Sequence, residues 1–485
     1  MATTYDLLLR GGVLVDHERV QRADVGVVDG KIAAIGDLSS ATARETLDAT
    51  GLHILPGVID TQVHFREPGL EHKEDLESGT RAAIMGGTTT VFEMPNTNPT
   101  TTTQAALEDK LARAKGRTWC DYAFFVGGTT ENAAELAALE MMPGTPGVKI
   151  FMGSSTGTLL VPDDDHLRAV LRSGVRPCPI HSEDEFRLRE RKALISENPH
   201  VREHPFLRDP ESSILATRRI LGLSEETSRP VHILHISTRD EPWIIADARK
   251  RGVRATAEVT PQHLYFTAPE CYERLGTKVQ MNTPIRDAAH RDGLRRALLE
   301  GFFDVIGSDH APHTLEEKAQ PYPASPSGMP GVQTLLTVMM NFVHEGLLDL
   351  PTLVRMTSFR PAELYGIARK GVLAVGFDAD FALVDLGKRH KIESDWLQSK
   401  CGWSPYEGDT FVGSVEHVVL RGQIQVRDRA LASTASAPLP QPLSSAPARE
   451  ELASQSGAGE GSRTVAGRMP AVQQIGRPVE FSWKP

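Results

Sequence analysis

What most constrains this chain is an alternation. Across about residues 54–365, short apolar or β-branched runs recur eight times, around 57–64, 88–93, 122–126, 148–151, 177–181, 231–236, 254–259 and 304–308. Helix-period stretches lie between most of them, among them Gln104–Ala114, Glu131–Glu140, Asp165–Arg172, Ser212–Leu223 and Pro242–Lys250. Strands that alternate with helices form parallel sheets, because only a long crossover returns the chain in the same direction. Eight such units predict an α/β fold of the (β/α)8 TIM-barrel kind, with the functional residues at the C-terminal ends of the strands. A doubly wound open sheet satisfies the same count.

Both chain ends read differently. Tyr5–Arg10, Val13–Val15, Val25–Val28 and Lys31–Ile35 are short strand patterns, the last two separated by the hairpin pair Asp29-Gly30. A second β-rich region holds Phe381–Val384, Val415–Leu420 and Gln423–Val426. Together they predict a small β-sandwich built from residues 1–53 and 366–429 around a barrel at 54–365. Residues 430–470 are dominated by Ala, Ser, Pro and Gly, without an aromatic or an isoleucine, and read as a disordered linker that could be deleted without loss of activity. Apolar character returns between Ile475 and Trp483, so residues 471–485 are expected to dock onto the body.

Composition removes several classes. With 53 Lys and Arg against 63 Asp and Glu, the net charge of −10 argues against a general nucleic-acid binder. No apolar run approaches the roughly 20 residues that span a bilayer, and Met1–Asp6 lacks the basic start and apolar stretch of a secretion signal. Cys120, Cys178, Cys271 and Cys401 are far apart and read as reduced thiols. The expected compartment is the cytoplasm.

Polar residues then fall on the strand ends. Gln62, His64 and Arg66 alternate at the end of strand 1 and share a face. Lys149 sits in apolar strand 4, His181 ends strand 5, His235 ends strand 6 and Asp309 ends strand 8. Imidazole plus carboxylate is a ligand set for zinc or a similar divalent ion. A lysine in an apolar strand is costly. It either snorkels or carries its amine as a carbamate able to bridge two metals.

Gly57-Val58-Ile59-Asp60, the His64 turn and the late Asp309 resemble the amidohydrolase superfamily. His64-Phe65-Arg66-Glu67-Pro68-Gly69, Met94-Pro95-Asn96-Thr97-Asn98-Pro99, Ser308-Asp309-His310-Ala311-Pro312-His313 and Ser327-Gly328-Met329-Pro330-Gly331 resemble the dihydroorotases, over about residues 5–428. The resemblance implies metal ligation by His64, His181, His235, Asp309 and a carbamylated Lys149, with one or two Zn2+ per chain. It implies Asp309 as the catalytic acid–base, and substrate contacts from Arg66, Asn96, Asn282 and His313. Gln62, His263 and Gly331 are further candidates. The implied reaction interconverts N-carbamoyl-L-aspartate and dihydroorotate, a small substrate with its own carboxylate. A homo-oligomer and association with an aspartate transcarbamoylase are the implied partnerships, with no nucleic acid or membrane. Allantoinase or hydantoinase activity is the alternative within the enzyme class, and a non-catalytic assembly partner the alternative outside it.

Two departures stand out. Where the superfamily usually has His-x-His at strand 1, this chain has Gln62-Val63-His64. Many bacterial dihydroorotases of this size carry an aspartate soon after strand 4, whereas Met152-Gly153-Ser154-Ser155 follows here, so Lys149 points to the lysine-carbamate type. The Pro-, Ser- and Glu-rich loop from His313 to Met329 shows no helix pattern and is expected to close over substrate as a lid.

Overall fold

A computed structural model describes residues 4–153, 159–432 and 474–482. The alternation resolves into a parallel barrel. Its strands are Val58–Val63, Thr88–Glu93, Asp121–Phe124 continued by Val126–Gly127, Val148–Phe151, Cys178–His181, Val231–Ile233, Ala255–Val259 and Val305–Ile306. Pairing runs in order around the barrel. The ring closes where the His64 N–H donates to the His310 carbonyl at 2.7 Å, and where Ser308 N–H donates to the Asp60 carboxylate at 3.1 Å. An open doubly wound sheet is thereby excluded. Strand residues are buried on both faces, as parallel sheets require.

Helices start where a short polar side chain can take up a free N–H. Asp75, Thr103, Asp163, Asp209 and Asp287 each cap the helix that follows. The pattern expected over Glu131–Glu140 gives only the single turn Leu136–Leu139. There the Asn132 amide donates to the carbonyls of Thr102 and Gly127, fastening the backbone as a loop before a helix can begin.

The chain ends form a sandwich. A four-stranded sheet comes from the N-terminal region alone (Thr4–Arg10, Asp24–Val28, Lys31–Gly36, Thr42–Asp48), and a seven-stranded sheet mixes both ends, with His53–Pro56 pairing to Phe381–Lys391. Leu7, Leu9, Val25 and Val27 from one sheet meet Leu14, Ile54, Phe381 and Leu383 from the other. Asp29 and Gly30 both have positive φ (51° and 72°), the conformation a two-residue hairpin turn demands.

Ala430–Leu431 pairs with Gln423–Arg427, so ordered strand reaches into the segment expected to be a linker; residues 433–473 lie outside the described residues. Along 474–482, the Tyr122 N–H donates to the Arg477 carbonyl at 3.0 Å and the Val479 N–H to the Tyr122 carbonyl at 2.9 Å. Among the described residues no helix is long and apolar enough to cross a membrane.

The loop after the eighth strand differs from the expected lid. Thr314 and Glu317 form a capping box around the turn Leu315–Lys318, a Thr-x-x-Glu signal present in the sequence. Lys318 is buried, and its ammonium donates to the carbonyls of Gln280, Pro326 and Gly328 at 3.2, 2.8 and 2.9 Å. The loop is a fastened wall.

Candidate metal centre and substrate cavity

At the C-terminal end of the barrel lies a cavity of about 90 Å³. Gln62, His64, Arg66, Asn96, Lys149, His181, His235, Asn282 and Asp309 line it, together with Phe151, Ala311, Ser327 and Gly328. Residues from the first, second, fourth, fifth, sixth and eighth strand ends thus meet in one place. His263 does not line it. Its Nδ1 lies 2.9 Å from Thr260 Oγ1, within its own turn, and its Nε2 lies 3.1 Å from the Thr283 carbonyl, where it holds the loop bearing Asn282. Gly331 does not line it either. A Cβ there would stand 2.9 Å from the Ser308 carbonyl, so the glycine makes room for close backbone packing and not for a ligand. His313 lies one layer back, 3.3 Å from Arg66.

Around the first and eighth strands the donors face each other. His64 Nδ1 lies 2.6 Å from Asn96 Oδ1, an acceptor, so Nδ1 carries the proton and Nε2 the lone pair. That lone pair stands 3.3 Å from Asp309 Oδ1, and burial pushes the His64 imidazole toward its neutral form. Two electron-pair donors opposed in a buried site are an arrangement that a cation satisfies. Gln62 Nε2 donates to the same Asp309 oxygen at 3.0 Å, while Gln62 Oε1 is buried without a hydrogen bond among the described residues.

The fifth strand supplies His181, whose Nε2 donates to Glu183 Oε2 at 2.7 Å, leaving Nδ1 as the lone pair. Burial would raise the Glu183 carboxyl, but Arg208 and His181 hold it far below the ordinary range, so the acceptor is a carboxylate. A carboxylate gripping the far nitrogen of a histidine fixes the tautomer a metal ligand needs. The His181 and His235 rings meet edge to face at 4.7 Å, and His235 Nδ1 is buried without a hydrogen bond among the described residues. The backbone of His235 has φ of 34°, held by Glu258, whose carboxylate accepts its N–H at 3.2 Å. Gly307 leaves room for that carboxylate: a Cβ there would come within 2.5 Å of it.

Lys149 is buried, lies 4.5 Å over the Phe151 ring, and its Nζ has no hydrogen-bond partner among the described residues. Burial brings its amine down to about 7, so near neutral pH a large share is unprotonated and nucleophilic. An orphaned, partly neutral amine within electrostatic reach of Asp309, His181 and His235 fits a lysine that takes up CO2. Among the described residues no three His, Cys, Asp or Glu side chains stand close enough to hold a metal by themselves. The donor set of this cavity also includes Lys149 and Gln62, which lie outside those four residue types.

A profile of the Amidohydrolase family matches residues 53–192 and 218–425. This chain belongs to the amidohydrolase family. The allantoinase of Deinococcus radiodurans is 35% identical over 429 residues, covering 86% of this chain and 94% of that one. The dihydroorotase of Methanosarcina acetivorans is 34% identical over 432 residues, covering 86% and 91%. Among solved structures, the L-hydantoinase (dihydropyrimidinase) from Arthrobacter aurescens superposes with a TM-score of 0.84 at 29% identity, covering 88% of this chain and 98% of that one. Family membership makes the chain a cyclic-amide hydrolase of metal-dependent type, with a small molecule as substrate. Sequence reasoning missed Glu183, Glu258 and His204, which donates to Asn282 Oδ1 at 3.0 Å. Glu183 carried a signal, a carboxylate two residues beyond a strand-end histidine; Glu258 and His204 carried none.

Proposed function

We propose that this amidohydrolase is a dihydroorotase, interconverting N-carbamoyl-L-aspartate and (S)-dihydroorotate. One observation carries the choice of substrate. Arg66 lines the cavity, is 7% exposed, and among the described residues has no carboxylate within ion-pairing distance. Its Nε donates to the Pro312 carbonyl at 3.1 Å, and burial brings the guanidinium down to about 10. A buried guanidinium that faces a cavity without an ion-pair partner calls for an anionic ligand, because the carboxylate lining that cavity, Asp309, is engaged with Gln62 and His64. Dihydroorotate and N-carbamoyl-aspartate bring a carboxylate; allantoin, hydantoin and dihydrouracil bring none.

Lys149 as its carbamate, with His181, His235, His64 and Asp309, would hold one or two Zn2+ ions. Bound there, such ions polarise a ring carbonyl and lower the pKa of water. The chain's own residues do the rest. Asp309 offers a carboxylate oxygen at the cavity that can take a proton and return it to the ring nitrogen. Gln62 orients that carboxylate through its 3.0 Å hydrogen bond. Asn96 orients His64, and Asn282, gripped by His204, presents its carboxamide to the cavity.

Purified protein assayed with dihydroorotate, N-carbamoyl-aspartate, allantoin, hydantoin and dihydrouracil tests the reading. Turnover of the carboxylate-bearing pair supports it, and exclusive turnover of the uncharged rings overturns it in favour of the allantoinase or hydantoinase activity named for the similar proteins. Gln62, in place of a ligand histidine, favours a second reading, a non-catalytic partner of aspartate transcarbamoylase. That reading requires metal-free protein without turnover that co-purifies with the transferase. Under the dihydroorotase reading the compartment is the cytoplasm, and the expected self-association is measured by light scattering.

A further inference from the structure

His313 stands between two hydrogen-bond networks that demand opposite tautomers. In the first, Nε2–H donates to the Ser327 carbonyl at 3.1 Å and Nδ1 accepts from the Lys73 ammonium at 3.2 Å. In the second, Nε2 accepts from Arg66 NH2 at 3.3 Å while Nδ1–H faces Glu317 Oε2 at 3.4 Å. Both shorter contacts belong to the first network. An ammonium has no lone pair, so Lys73 can only donate, and a nitrogen that accepts from it cannot carry the ring proton. Glu317 is otherwise engaged: its carboxylate takes the Lys73 ammonium at 3.1 Å, His72 at 3.2 Å and the Thr314 N–H at 3.2 Å. Burial and the neighbouring cations of Arg66, Lys73 and Lys318 push the imidazole toward its neutral form, which leaves the tautomer as the one open variable.

We propose that Lys73 is a positioning residue that locks His313 as the Nε2–H tautomer, whose N–H is committed to the Ser327 carbonyl and cannot accept from Arg66, so that the Arg66 NH2 group stays free for the substrate carboxylate. The inference rests on the dihydroorotase reading for the identity of that carboxylate, but not for the lock itself. The wall against which His313 donates is fixed independently, because Lys318 holds the carbonyls on either side of Ser327. Trp403 holds the His313 carbonyl through its indole N–H at 2.8 Å, which fixes the backbone while leaving the ring tautomer to Lys73. Lys73→Met removes the donor without removing the packing of the stem; Lys73→Arg keeps a donor.

The experiment is 15N NMR of the full chain labelled at histidine, with the His313 signals assigned by their loss in His313→Asn. At neutral pH the unaltered chain should show His313 as one tautomer, protonated at Nε2. In Lys73→Met that single tautomer should give way to a mixture. KM for dihydroorotate should rise about tenfold with kcat within about twofold, equivalent to about 1.4 kcal/mol, and Lys73→Arg should restore most of both. Glu317→Gln, which removes the negative charge that competes for an Nδ1–H, should leave the Nε2–H form in place, and decides the matter if Lys73→Met does not fold. An imidazolium or an Nδ1–H tautomer in the unaltered chain overturns the proposal, as does a Lys73→Met protein with unchanged tautomer and KM, or a tautomer that switches in Glu317→Gln. If dihydroorotate is not turned over at all, the functional reading fails, while the NMR series still decides the role of Lys73.

Discussion

Around the first and eighth barrel strands the polar atoms of the cavity bond to one another, whereas around the fourth and sixth they do not. Gln62, His64, Asn96 and Asp309 form a chain of contacts between 2.6 and 3.3 Å. Among the described residues, Lys149 Nζ and His235 Nδ1 are buried and have no hydrogen bond, and Arg66, although it follows the first strand, is a third open group, a buried cation that forms no ion pair. A buried polar atom left unsatisfied costs free energy that folding alone does not return. The open half therefore marks where outside groups belong, and the closed half marks where the protein has set its own geometry. Substitutions in the open half should disable function while sparing or raising the stability of the unloaded chain; those in the closed half should change affinity by degrees.

Lys149→Ala is the largest expected effect. It should remove nearly all turnover and the metal content measured by elemental analysis, because it deletes the one residue able to supply a shared anionic ligand. Retention of full rate and two metals would refute the carbamate. Lys149→Met should, in contrast, raise the melting temperature of metal-free protein. The pH dependence has a definite sign. Burial brings folded Lys149 down to about 7 from the ordinary lysine value of 10.5, so between these the unfolded chain binds more protons. Its contribution to the stability of unloaded protein is full above about 10.5 and is lost as pH falls through about 7. Bicarbonate uptake, followed by 13C NMR, should increase over the same rise from about 7.

Arg66→Met tests the other open group. The loss of a charge-assisted pair, about 2–5 kcal/mol where its partner is buried, should raise KM for dihydroorotate by at least about thirtyfold. Slow turnover of an uncharged ring should be little changed. Equal losses on charged and uncharged rings would show that Arg66 supports the fold of the site and not the recognition of a carboxylate.

The same contrast explains what the sequence could and could not reveal. The barrel was legible because parallel strands buried on both faces leave continuous apolar runs, and the polar exceptions at their ends, His64, Lys149, His181, His235 and Asp309, stand out against them. All five line one cavity. Groups that act by filling hydrogen bonds left no such contrast. Glu258 reaches His235 only because Gly307, 49 positions on, leaves it space, a relation that exists in three dimensions alone. His263 and Gly331 misled for the converse reason. A histidine after a strand and a glycine after a proline look the same in sequence whether they face a ligand or, as here, the neighbouring backbone. The Thr314–Glu317 capping box was readable, a helix start in a loop expected to have no helix.

At the fifth strand, where the protein has also set its own geometry, Glu183→Gln should weaken metal binding about 10–100-fold while leaving the protein folded. The amide can still accept from His181 Nε2, but it loses the charge that Arg208 stabilises. Competition against a chelator measures this, and unchanged affinity would mean that His181 faces the metal without help from its carboxylate.

Gln62→His should give the smallest change and the most informative one. The Gln62 amide nitrogen donates to Asp309 while its oxygen is left without a partner, so this side of the site has a neutral, hard donor where imidazole would be a better zinc ligand. The position served by Gln62, His64 and Asp309 should accordingly bind zinc more weakly than the one served by His181 and His235. Titration of metal-free protein should show the His181/His235 position filling first. Gln62→His should tighten the second step and bring the two closer, with turnover retained. It should also remove the hydrogen bond that orients Asp309, so a modest drop in kcat alongside tighter metal is the expected signature. Two equally tight steps in the unaltered chain would erase the difference between the halves, and a second step that Gln62→His leaves untouched would place its cause elsewhere than in residue 62.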